Sequence, residues 1–167
     1  ASGFEAYVNT LSPNGNTYHD IGLLWGARLM SPTGLFASEN AFTSTGGEIE
    51  RHLVFMTDGD TVTSNQGYTA HGIAWWDRRQ TRSNAGPSAS LLTGVVNERT
   101  AALCAAIKSK NITLWVVSFG TGVSSSAQAL LQSCASPNRF YVAANSATLI
   151  SNFQQIADEI SQLRLTK

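Results

Sequence analysis

Long apolar runs are missing from this 167-residue chain: none reaches the ~18 residues that a membrane-spanning helix needs, so no span is expected. Charge is scarce as well. Charged residues make up 13%, and 11 Lys and Arg offset 11 Asp and Glu, for a formal net charge of zero. No basic block stands out, which argues against a nucleic-acid track. Ser, Thr, Asn and Gln carry the surface instead, a composition that suits an exported protein. No internal repeat and no long charge run occurs. No signal peptide opens the chain, and its start, "ASGFEAYVNT", reads as the interior of something longer. Catalytic signatures are absent too: there is no Gly-x-Ser-x-Gly, no Walker-type loop, no His-Glu-x-x-His and no cysteine-nucleophile pattern.

Cysteine appears twice, at Cys104 and Cys134, with no Cys-x-x-Cys or Cys/His spacing for zinc. Two readings stand. One is a pair of buried thiols. The other is a disulfide between predicted elements that a parallel layer brings close. Such a bridge closes a ~30-residue loop and stabilises by about 3–4 kcal/mol in the chain-entropy picture. It requires an oxidising compartment.

The length suits one domain, residues 1–167, with a sizeable core. Phe4, Val8 and Leu11 stand at helical spacing. After "SPNGN" a second helix is expected over "YHDIGLLWGARLM", with Ile21, Leu24, Trp25 and Leu29 on its apolar face and Trp25 in the core. Ser31-Pro32 ends it, and residues 33–50 read as loop. "HLVFMT" is a continuous apolar strand, the pattern of a strand covered on both faces. Residues 60–92 read as a polar insertion with one or two helical turns. A helix is expected from about Val95 to Lys108, with Val96, Leu103 and Ile107 inward. "ITLWVVSFG" is a second strand, "SSAQALLQSC" a short helix and "RFYVAA" a third strand. In the last helix Leu149, Phe153, Ile156, Ile160 and Leu163 form one stripe, with Ser146 as its N-cap. Alternating strands and helices predict an α/β fold: a doubly wound, Rossmann-like three-layer sandwich with a mostly parallel sheet.

In such sheets ligands bind beyond the carboxyl ends of the strands. "LVFMTDGD" drives a strand straight into Asp58 and Asp60 there. Asp58 is either a hard-cation ligand or a strand terminator beside Gly59. Mg²⁺ takes oxygen donors and few protein carboxylates, and a threonine hydroxyl on a nearby loop suits its shell. Thr17 is the candidate. Its plainer role is an N-cap with Asp20 three residues on, and the two roles are compatible. Asp60 reads as a loop cap. His19, His52 and His71 are scattered, and His52 reads as structural. Trp75 and Trp76 either form a sugar-stacking or protein-binding surface or divide between core and surface. Arg78 and Arg79 read as a solvated face.

"NGNTYHDIGLLWGARLMSP", "HLVFMTDGD", "ITLWVVSFGTG" and "RFYVAANSATLISNFQQIADEI" together resemble the second half of a von Willebrand factor A domain. More narrowly, they resemble the A-type domain of TadG-like proteins of the Flp/Tad pilus machinery. The resemblance implies a metal-ion-dependent adhesion site built from an Asp-x-Ser-x-Ser loop after the first strand, a Thr on a later loop and an Asp after the fourth strand. By motif position Thr17 matches that Thr and Asp58 that Asp. No Asp-x-Ser-x-Ser occurs in the chain. The expectation is therefore the carboxyl-terminal portion of such a domain, lacking its N-terminal strands, which come from upstream or from another chain. It implies a non-enzymatic binding domain in pilus assembly or surface adhesion. The partner is a protein, and Asp60, Trp75 and Trp76 contribute to the contact surface. Mg²⁺ or another divalent cation sits in the intact domain and binds weakly to this portion alone. The expected place is the periplasmic or extracellular face of a bacterial membrane, with the tether outside this segment. The alternatives are a metal-assisted hydrolase using Asp58, Asp60 and His71, and a cytoplasmic A-type scaffold of an ATP-driven complex.

Overall fold

The computed structural model describes residues 2–12 and 14–165, with side chains through residue 162. Three parallel strands form the main sheet: β1 (Arg51–Thr57), β4 (Ile112–Phe119) and β5 (Phe140–Ala143), in the order β1-β4-β5. Arg51 stands opposite Ile112 and Thr57 opposite Ser118, while Val116 stands opposite Phe140. Parallel pairing follows from the helices between the strands, since each connection must cross the sheet to restart at the same end. The fold is thus mixed α/β, a parallel sheet flanked by helices.

Strand alternation sorts the side chains into two cores. Leu53, Phe55, Leu114, Val116 and Phe140 face one side. There they meet Leu23 and Ala27 of α2 (His19–Leu29), Cys104 and Ile107 of α5 (Ala89–Ser109), and Leu131 and Cys134 of α6 (Ser125–Cys134). Cys104 and Cys134 are joined as a disulfide inside this layer, so no described cysteine is free. Val54, Trp115, Val117, Tyr141 and Ala143 face the other side, against Leu149, Ile156 and Ile160 of α7 (Ser146–Leu165). Helix α2 lies close on β1 because Gly26 has no side chain; a Cβ there would stand 2.8 Å from Leu53 Cδ1. Ser88 caps α5 through the Leu91 N–H, and Ser124 caps α6 through the Ala127 N–H.

Several expectations need correction. Strand β1 is not covered on both faces: Met56, on the α7 side, is 48% exposed. In α2 the inward side is His19, Asp20 and Leu23, whereas Trp25 is 45% exposed beneath the Arg28 guanidinium and Leu29 is exposed too. Periodicity alone chose the wrong stripe because the buried one carries a histidine and an aspartate. Helix α1 (Ser2–Val8) stops before Leu11, and Phe4, Val8 and Leu11 are all exposed. Helix α5 begins at Ala89, well before Val95. The α7 N-terminus is capped by Asn145, whose Oδ1 accepts the Thr148 N–H, with Ser146 already inside the helix. The Leu163 side chain lies outside the described residues. One turn, α3 (Ala37–Asn40), interrupts the 33–50 loop. Among the described residues no helix is long and apolar enough to cross a membrane.

Candidate functional site

The carboxyl end of β1 is where the chain concentrates its buried polar groups. Thr57 closes the strand, and residues 58–62 turn away from it. Thr17 reaches this turn from the other side as an isolated antiparallel bridge: its N–H donates to the Val62 carbonyl at 2.9 Å, and the Val62 N–H returns a bond at 3.1 Å. The two segments that carry Thr17 and Asp58 therefore meet at one corner. This bridge also settles the cap. Its extended backbone leaves Tyr18 as the N-cap residue of α2, with no side-chain cap bond, so Thr17 does not cap the helix. The Tyr18 hydroxyl bridges to the backbone of Ser64 instead.

Asp58 is exposed, and neither its carboxylate nor the Thr17 hydroxyl makes a hydrogen bond with the described residues. Asp60 differs: its Oδ1 accepts the Ser124 N–H at 2.8 Å, tying the β1 turn to the start of α6. Thr17 and Asp58 fit a hard cation in kind, one hydroxyl and one carboxylate, but not in number. An octahedral Mg²⁺ shell takes six oxygens, and even with several waters it is held more firmly by further carboxylates. Among the described residues no group of three or more His, Cys, Asp or Glu is arranged to hold a metal.

At the carboxyl end of β1 lies a polar cluster of residues far apart in sequence. His19 is buried between Thr57 and Thr61, with Nε2 3.0 Å from Thr57 Oγ1 and Nδ1 3.1 Å from Thr61 Oγ1. Thr61 Oγ1 also donates to Asn97 Oδ1 at 2.7 Å and Thr57 Oγ1 to the Gly59 carbonyl at 3.2 Å, so each hydroxyl beside the ring is tied to a second group. Burial lowers the His19 pKa below its ordinary value, against the pull of the Gly59 backbone and of Asp60 and Asp20. Burial thus favours the neutral form of the ring. Asp20, 2% exposed, accepts from Arg99 Nε at 2.7 Å and lies 3.7 Å from His71 Nε2. Arg99 also donates to Gln80 Oε1 at 3.2 Å. These bonds fasten α2, α5 and the 60–92 segment into one support for the corner. Only the "YHD" triplet, polar at a helix start, could have signalled it.

The 60–92 segment is more ordered than a polar insertion suggests. It holds a small hairpin, β2 (Tyr68–Thr69) with β3 (Gly72–Ile73), followed by one helical turn, α4 (Ala74–Asp77). Gly72 sits at φ 82° beside the Asp77 carboxylate, a place no side chain could occupy. Trp75 and Trp76 both reach the surface, with ring centroids 5.2 Å apart and planes at 79°. His71 faces Asp20, and no hydrogen bond joins His71, Asp58 and Asp60 among the described residues. His52 lies within β1 and accepts the Trp115 Nε1 hydrogen at 3.2 Å.

No family model matches this chain, and no curated protein matches it. Among solved structures it is similar to proximal thread matrix protein 1 from the mussel byssus, at 13% identity and a TM-score of 0.43. That similarity covers 86% of this chain and 27% of the mussel protein, so the chain spans about a quarter of that protein's length.

Proposed function

We propose that this chain is the carboxyl-terminal portion of a von Willebrand factor A-like domain and serves as a non-enzymatic binding module of a TadG-like pilus-assembly protein. Thr17 and Asp58 supply part of a metal-ion-dependent adhesion site. The observation that supports the reading is the Thr17–Val62 backbone bridge, which pairs the segment carrying Thr17 with the turn that follows Asp58. Strand β1, at whose carboxyl end that corner lies, is also an edge strand, paired among the described residues with β4 alone. An unpaired edge of this kind takes another strand. A strand added along β1 and ending in Asp-x-Ser-x-Ser brings further oxygens to the same corner. When bound, the cation supplies a positive charge that a partner's acidic group ligates. This chain's residues hold two of its oxygens and frame the approach.

The Cys104–Cys134 disulfide supports a periplasmic or extracellular location over a cytoplasmic scaffold, since such bridges persist in oxidising compartments. A hydrolase is disfavoured by the environment of its candidate residues. Asp60 is engaged by Ser124 and His71 faces Asp20, so among the described residues no base is aimed at Asp58 by a hydrogen bond. The test is a titration with Mn²⁺, followed by calorimetry, with and without a synthetic apolar strand ending in Asp-x-Ser-x-Ser. Binding is expected to become saturable only with the strand present and to vanish in Asp58→Ala. Equal binding by Asp58→Ala, or no effect of the strand, overturns the reading.

A further inference from the structure

The hairpin and helical turn that follow the β1 corner carry a charge the rest of the molecule does not. Between Thr61 and Asn97 the sequence has three arginines, Arg78, Arg79 and Arg82, against one acid, Asp77, a net +2 in a chain whose net charge is zero. This positive segment is a built object. The Trp75 N–H donates to the Asn65 carbonyl at 2.8 Å, Asn65 Nδ2 to the Pro87 carbonyl at 2.9 Å, and Arg78 Nη1 to the Asn84 carbonyl at 2.6 Å. Arg78 lies over the Trp75 ring at 5.9 Å, and Gly86 leaves the space that the same ring fills. The knot is then fastened to the body through Arg99, Gln80, Asp20 and His71.

What the knot shows to solvent is costly to leave bare. Tyr68 is 88% exposed and Trp76 73% exposed. Arg82 is exposed and has no charged or hydrogen-bonded partner among the described residues, and Arg79 is bound only at the surface, by Asp77 at 3.3 Å. Trp, Tyr and Arg are the residues that dominate binding energy at protein interfaces, because they combine large apolar area with directed donors. The geometry chooses among ligand classes. Sugar rings and nucleobases need broad faces on which to stack, and successive bases need successive faces. Trp75 and Trp76 stand nearly perpendicular, and one face of Trp75 is taken by Arg78, so the pair makes a corner. A corner receives a projecting apolar side chain. Three arginines are also too few for a phosphate track, whereas they suit two or three carboxylates.

We propose that this knot docks an acidic polypeptide segment: an apolar side chain lodges against Trp75 and Trp76, and flanking Asp or Glu residues face Arg79 and Arg82. The proposal deepens the binding-module reading and rests on it, naming the chemistry of the partner. It also agrees with the cation corner in sign, since both attract carboxylates.

The experiment is a panning of a displayed random-peptide library on the whole chain, in chelator and without divalent cation, so that Thr17 and Asp58 play no part. Enriched peptides are expected to pair Asp or Glu with an aromatic or aliphatic residue. Synthetic copies should bind Trp76→Ala at least about tenfold more weakly, and Arg82→Glu several-fold more weakly. Raising the salt should weaken them further. Both substituted side chains are exposed, and circular dichroism confirms that the variants fold. Failure to enrich peptides, enrichment without acids, or unchanged affinity for Trp76→Ala overturns the proposal. So does preferential capture of a sulfated oligosaccharide or oligothymidine offered in competition. None of these outcomes bears on the cation titration, so the two readings fail separately.

Discussion

The two faces of the sheet are built to different standards. One is covered by α2, α5 and α6, sealed by a disulfide and holding Leu23, Leu114, Val116 and Leu131 wholly out of water. The other has α7 alone, which covers β4 and β5 but leaves Met56 of β1 half bare and Phe153 partly exposed. The bare side chains fall at the sheet's two edges: Met56 of β1 on the α7 side, and Val142 of β5, 47% exposed, on the other. Stability is therefore expected to reside in the first face, and binding at the carboxyl end of β1, where the chain segments leading to α2 and α5 meet.

The largest effect expected to sharpen this contrast comes from removing the bridge. Replacing Cys104 and Cys134 together by Ala should lower the unfolding free energy by about 3–4 kcal/mol, read from urea denaturation, because the unfolded chain regains the freedom of a ~30-residue loop. Leu131→Ala, on the same face, should cost about 3 kcal/mol, the ordinary toll of a cavity under a wholly buried leucine. Met56→Ala, on the bare face, should cost less than about 1 kcal/mol in the same assay, since much of that side chain already meets water. Equal losses for Leu131→Ala and Met56→Ala would break the comparison. The smallest effect concerns pH. Burial lowers the His52 pKa, with Arg139 acting the same way and Glu50 opposing. A depressed histidine contributes stability in full above its unfolded pKa of about 6.5, and loses it as pH falls from there toward the folded value. Protonation also displaces the Trp115 N–H from His52 Nδ1, so tryptophan emission should change over the same interval and not in His52→Phe.

The strands were legible because they are nearly continuous apolar runs: "HLVFMT", "ITLWVVSFG" and "RFYVAA" fall on β1, β4 and β5 within a residue or two. Helix α5 was legible in its centre but not at its start, where Ser88 caps a first turn of weak pattern. Helix α2 was legible in extent and misread in orientation. Its buried side holds His19 and Asp20, whose burial depends on Thr57, Thr61 and Arg99, residues that no local pattern links to it. Asp58 stood out because an acid after an apolar strand is conspicuous. The long-range pairing that brings Thr17 to the same corner is a backbone bridge, and backbone bridges carry no side-chain signature.

That bridge makes a direct measurement possible. In amide-resolved NMR of the chain alone, added Mg²⁺ should move the Thr17 and Asp58 resonances together, weakly and without saturation up to millimolar concentrations, and Asp58→Ala should abolish both shifts. Tight, stoichiometric saturation by the chain alone, or shifts at Asp58 that leave Thr17 unmoved, would contradict a shared and incomplete cation corner.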